Sequence, residues 1–216
     1  MISINIKKRI FTSLGLFFLI YLIISFKFFL VFALIVTGIL SILEFSIVMQ
    51  KISKSKINLL IINILFILYI FLFCNLYFIF SNFLQLKILL YITLFGCIAS
   101  DLGGFIFGKL FKGPKLSKIS PNKTFSGALG SFILTYLILF SLIYYFTNKV
   151  SYEIFLIGFS ISFACQLGDL FFSFIKRKAK IKDMGNMLPG HGGILDRLDG
   201  ILLGLPIGLI TIIIIY

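Results

Sequence analysis

Long apolar runs at close spacing constrain this chain more than any other feature. They fall at residues 10–26, 28–48, 57–80, 88–108, 128–147, 153–175 and 200–216. Each is near the ~20 residues that carry a helix across the hydrocarbon core of a bilayer. Inside lipid every backbone N–H and C=O must be paired within the protein, and a run of this length does so as a helix. The expected fold is all-α, a polytopic integral membrane bundle of about seven to eight transmembrane helices. Composition agrees, because only 12% of the 216 residues are charged, against roughly 25% in soluble domains. A soluble globule and a disordered chain are both excluded.

The N-terminal MISINIKKRI resembles the start of a signal peptide, but no small-residue cleavage site follows, so the expectation is a retained first span. With the N-terminus cytoplasmic and seven spans, 17 of the 20 basic residues fall inside and only Lys27, Lys87 and Lys149 outside. That asymmetry is what the positive-inside rule requires. The net charge of +13 could serve nucleic acid, yet the hydropathy favours membrane lipid heads or phosphorylated substrates instead. Cys74, Cys97 and Cys165 are odd in number, far apart and set in apolar runs, as small core residues are.

Seven acids are present: Glu44, Asp101, Glu153, Asp169, Asp183, Asp196 and Asp199. Glu44 and Glu153 lie near helix ends and read as interfacial. Asp101 and Asp169 fall within or near apolar spans, where a carboxylate at the helix centre costs ~2.5–3.5 kcal/mol unless it meets a cation. Asp196 and Asp199, in ILDRLDG, are spaced to share a helix face. Such hard oxygen ligands suit Mg²⁺ with substrate phosphates; the alternative is a cluster satisfied by Arg197.

Two loops mix charge with Gly, Pro, Ser and Asn. In 176–199, the stretch KRKAKIKD is either a lipid-facing basic patch or a phosphate clamp. The LPGHGGI that follows surrounds His191 with glycines, whose N–H groups could turn toward an anion at a helix start. His191 itself reads as a general acid or base, or as a group orienting a phosphate. In 109–127, GPKLSKISPNKTFSG lacks the spacing of a Walker loop, but Ser120, Lys123 and Thr124 offer groups suited to phosphate.

Taken together, SFIKRKAKIKDMGNMLPGHGGILDRLD from Ser173 to Asp199 resembles the signature of the phosphatidate cytidylyltransferases, or CDP-diacylglycerol synthases: Ser, Lys-Arg, Lys-Asp, His-Gly-Gly, Asp-Arg-x-Asp. SPNKT at 120–124, DLGGFIFG from Asp101 and QLGDL around Asp169 are similar to other segments of that family. One departure is Ser126, where the family often has Glu or Gln. The resemblance implies transfer of the cytidylyl group of CTP to phosphatidic acid, with pyrophosphate released, for phospholipid synthesis at the cytoplasmic face of a bacterial inner membrane. It implies N-terminal transmembrane helices over 1–100 and a catalytic region over 101–216. It implies Mg²⁺, with a second cation as an option, held by Asp169, Asp196 and Asp199. Lys176 and Arg177 would join them in catalysis. Ser173, Lys182, His191 and Arg197 would cradle phosphates, with Ser120, Lys123 and Thr124 contacting CTP. Asp183 would serve the substrate site through metal, ribose or its own loop. A homodimer is a further expectation from the same source.

Two rivals compete. A polyprenol or phytol kinase would also use CTP in a membrane, but would lack the unbroken run from Ser173 to Asp199. An ion-coupled transporter would spread its acids over several spans and show an internal repeat; the acids here cluster toward the C-terminus.

Overall fold

The computed structural model describes residues 22–117, 119–120, 123–149, 151–185 and 192–215. Six long helices account for most of them: α1 (Lys27–Ile52), α2 (Lys56–Asn82), α3 (Leu84–Phe111), α4 (Phe125–Thr147), α5 (Glu153–Lys178) and α6 (Leu195–Ile215). All six are long and apolar enough to cross a membrane. They correspond to six of the seven expected spans. Residues 10–21 of the remaining one, 10–26, lie outside the described residues, so a count of seven or eight is not established.

Two compact units divide the chain: Met1–Phe78 with Ala179–Asp196, and Ile79–Lys178 with Arg197–Tyr216. A stretch of the second polar loop is grouped with the N-terminal helices.

In the first unit, α1 turns one apolar stripe outward. Phe28, Phe32, Ile35, Ile39, Leu43 and Ile47 recur every three or four residues and are all exposed, the pattern of a helix whose solvent is lipid. Its opposite face buries Leu30, Ser41, Glu44, Phe45, Val48 and Met49. Phe45 stacks on Phe66 of α2 at 3.8 Å between ring centres, and Gly38 lets Ile70 and Cys74 approach.

In the second unit, glycine sets the distance between α3 and α4. A side chain at Gly103 would strike the carbonyl of Gly130, and one at Gly130 would strike the ring of Phe107. Small residues permit such backbone approach where lipid supplies no hydrophobic drive. Hydroxyls then bond across helices: Ser131 Oγ donates to the Ser100 carbonyl at 2.8 Å. Ser100 Oγ lies 3.1 Å from Ser162 Oγ on α5. Cys97 and Cys165 are fully buried, as expected, and their sulfurs flank Gly204 of α6. This close packing holds the carboxylate-bearing turns of α3, α5 and α6 in fixed register.

Candidate active site

The 112–124 connection is a built loop. The chain leaves α3 through Lys112 (φ 48°) and Gly113 (φ 113°), a left-handed turn that glycine tolerates and lysine resists. It returns as a short antiparallel bridge, Lys115 against Thr124, with Leu116 N–H donating to the Lys123 carbonyl at 2.8 Å. Lys123 N–H closes a turn on the Ser120 carbonyl at 3.1 Å. Thr124 sits in extended geometry ahead of α4, and its Oγ1 accepts from Gly127 N–H at 3.1 Å. That is an N-cap. Ser126 hydrogen-bonds the Lys112 carbonyl and lies 3.0 Å from Thr124 Oγ1. The residue that departs from the family pattern thus fastens the loop to the end of α3.

The loop presents Lys123 to a cavity of about 330 Å³ in the second unit. Asp101 of α3, Asp169 and Ser173 of α5, and Asp199 of α6 line it, together with Lys123 and Thr124. Lys123 Nζ meets Asp169 Oδ2 at 2.6 Å. Lys176 Nζ stands 3.8 Å from Asp199 Oδ2, while Asp199 Oδ1 accepts the Gly200 N–H at 3.1 Å. Two glycines make the carboxylates neighbours. A side chain at Gly168 would strike the Asp199 carbonyl, so α5 and α6 touch through backbone at this level. A Cβ on Gly200 would stand 3.0 Å from Asp169 Oδ1 and 3.4 Å from Asp101 Oδ1. Among the described residues, three carboxyl groups therefore share the cavity with the Lys123 ammonium group, and Lys176 stands beside Asp199.

No set of three His, Cys, Asp or Glu side chains is arranged as a finished metal cage among the described residues. The donor set nevertheless suits a hard cation of the Mg²⁺ type, which takes one or two carboxylates and completes its shell with water and phosphate. The bare backbone of Gly200 leaves open the space beside two such oxygens.

The structure brings Asp169, Asp199, Ser173, Lys123, Thr124 and Lys176 together and adds Asp101. In the sequence, Asp101 stands out only as an acid within an apolar span. Arg177 is braced elsewhere, its Nε donating to the Ile119 carbonyl at 3.4 Å. Ser120 contributes its carbonyl to the loop turn. Lys182 and Asp183 are exposed residues of the first unit; Arg197 is exposed and does not line the cavity. His191 lies outside the described residues.

Asp196 belongs to the first unit and has a different occupation from Asp199. Its Oδ2 accepts N–H from Met184 at 2.8 Å and from Gly193 at 3.1 Å. The expected shared face is thus divided between two tasks. After the glycine turn, the N–H groups of Gly193, Ile194 and Leu195 meet anions at the helix start, and these are carboxylates of the protein itself, Asp196 and Glu44. Glu44, expected at an interface, is 1% exposed.

A family model described as the cytidylyltransferase family matches residues 1–215. A protein of Rickettsia bellii named phosphatidate cytidylyltransferase is 44% identical over 128 residues, covering 54% of this chain and 54% of that one. Its namesake in Rickettsia typhi is 45% identical over 130 residues, covering 55% and 56%. The Helicobacter pylori protein of the same name is 43% identical over 112 residues, covering 50% and 40%. The chain thus spans about half the length of the curated relatives it matches. With the family match running nearly end to end over a helical membrane fold, the chain belongs to the cytidylyltransferase family.

Proposed function

We propose that this protein is a phosphatidate cytidylyltransferase, a nucleotidyltransferase that moves CMP from CTP to phosphatidic acid and releases pyrophosphate. The observation that carries the reading is the cavity lined by Asp101, Asp169, Asp199 and Lys123 among apolar helices, with Lys176 beside Asp199. The names of the similar proteins supply the substrates.

In the proposed reaction a phosphatidate oxygen attacks the α-phosphorus of CTP in line. The new P–O bond forms as the bond to the bridging α–β oxygen breaks, and pyrophosphate departs with that electron pair. The attacking monoester, with a second pKa of ~6, is largely deprotonated near neutral pH, so no general base is required. Catalysis of this kind rests on positioning and charge neutralisation. Lys123 and Lys176 supply positive charge to the phosphates, and Ser173 supplies a hydroxyl. One or two of the carboxylates of Asp101, Asp169 and Asp199 would hold Mg²⁺, which when bound offsets the negative charge of the triphosphate.

The same reading orients the protein with the 112–124 and 179–194 connections on the cytoplasmic side of a bacterial inner membrane. The inside excess of 17 basic residues over 3 supports it.

Purified protein in mixed micelles with labelled CTP and Mg²⁺, offered phosphatidic acid or a polyprenol in parallel, tests the reaction. Label from the α-phosphate entering a CDP-lipid only with phosphatidic acid, alongside pyrophosphate, is expected. Phosphorylated polyprenol with free CDP would replace this reading with a lipid kinase.

A further inference from the structure

Glu44 is the only acidic residue in the first hundred positions, and the reaction above gives it nothing to do. It is nonetheless 1% exposed on a membrane helix, where an uncompensated carboxylate is costly. Its compensation is specific. Oε1 accepts the Ile194 N–H at 3.0 Å, and Oε2 accepts the Leu195 N–H at 2.9 Å. Leu195 is the first residue of α6, so both bonds fall at a helix start, where N–H groups lack partners within the helix and the dipole is positive.

The surrounding sequence is cut to admit this carboxylate. A Cβ at Gly193 would stand 2.7 Å from Oε2, and one at Gly185 would collide with the carboxyl group. Asp196 completes the arrangement by accepting from Met184 N–H and Gly193 N–H. Two carboxylates therefore take four backbone donors around the entrance to α6. Asp199 lies one turn further along the same helix.

We infer that Glu44 is a positioning residue: its bidentate grip on the Ile194 and Leu195 amides fixes the N-terminus of α6 and thereby the setting of Asp199. The inference rests on the proposed transferase reading for its kinetic consequence, but the grip itself does not depend on it. A small shift of a group that orients substrate is enough to cost ~10²-fold in rate. Glu44 is not among the residues lining the carboxylate cavity, so its loss acts on turnover more than on nucleotide binding through Lys123 and Ser173.

Two variants test this from opposite sides. Glu44→Gln keeps the volume but replaces one acceptor oxygen with a donor; Gly193→Ala keeps Glu44 and pushes a methyl group against it. Hydrogen exchange in micelles reads the grip, and steady-state kinetics per folded enzyme reads its effect. In both variants, exchange at Ile194 and Leu195 is expected to quicken by at least about tenfold, while α3–α5 stay as in wild type. The expected kcat falls by at least about tenfold with KM for CTP nearly unchanged. Unchanged exchange at both amides would overturn the inference, as would lower yield with wild-type kcat. If wild-type protein forms no CDP-lipid, the transferase reading fails separately, and the exchange result still decides the role of Glu44 at the helix start.

Discussion

The two ion pairs made by the cavity's carboxylates are not equivalent, and the difference shows at single residues. Lys123 and Asp169 are in direct contact at 2.6 Å, with side chains 29% and 21% exposed. Lys176 and Asp199 are 3.8 Å apart and less exposed. Removing one partner of a close pair leaves the other partly buried and unneutralised. Lys123→Met is therefore expected to lower kcat/KM for CTP by at least about tenfold, measured with saturating phosphatidic acid. Lys176→Ala is expected to raise the apparent KM for CTP or lipid while thermal unfolding in detergent stays near wild type, because its looser contact contributes less to folding. An unchanged KM for both substrates would make Lys176 a lipid-facing charge. At this scale, Asp169, Asp199 and Lys123 were legible in the sequence, since charges in an apolar chain stand out and their motif is specific. Glu44 was not, because its partners lie 150 and 151 residues away, and nothing in local spacing announces a carboxylate bonded to distant amides.

Individual helices were legible in existence and less so at their ends. Hydropathy placed the last span from 200, whereas α6 begins at Leu195. Asp196 and Arg197 depress the apolar signal, yet an acid in the first turn favours a helix start. The 109–127 loop reads as offering groups suited to phosphate, and among them Thr124 also caps α4. Thr124→Ala is expected to cost about 0.5–2 kcal/mol of stability through the lost cap, seen as a lower Tm, even before any effect on CTP. The α3–α4 crossing makes a larger demand. Gly130→Ala drives a methyl group into Phe107 and is expected to destabilise by about 1–3 kcal/mol, again read by thermal unfolding. An unaltered Tm would mean that the two helices do not pack at the described distance. Glycine's role here was hidden in sequence, since DLGGFIFG reads as readily as a flexible stretch as it does a contact surface.

The whole molecule was the most legible scale, because lipid as solvent leaves few choices: long apolar runs become helices, and their lipid faces stay apolar. The outward stripe of α1 follows from that rule, and so does the all-α architecture. Grouping was not legible, because hydropathy carries no information on which helices touch; hence the second polar loop is divided between two units. Orientation is testable directly. Cysteine introduced at Lys115 or Lys182 is expected to react with an impermeant maleimide only from the cytoplasmic side, and at Lys149 only from the opposite side. Labelling of Lys115 and Lys149 variants from one side would break the alternation of spans.

The central claim is that the carboxylate cavity performs the transfer, and Asp169 is its most exacting test because it joins α5 to Lys123 and shares the space over Gly200 with Asp101. The decisive measurement is the rate of label transfer from CTP to phosphatidic acid by Asp169→Asn across a Mg²⁺ titration, in protein whose helicity and unfolding match wild type. A loss of at least about 10²-fold that added Mg²⁺ does not restore is the expected result. Turnover equal to wild type at every Mg²⁺ concentration would place the chemistry elsewhere in the molecule.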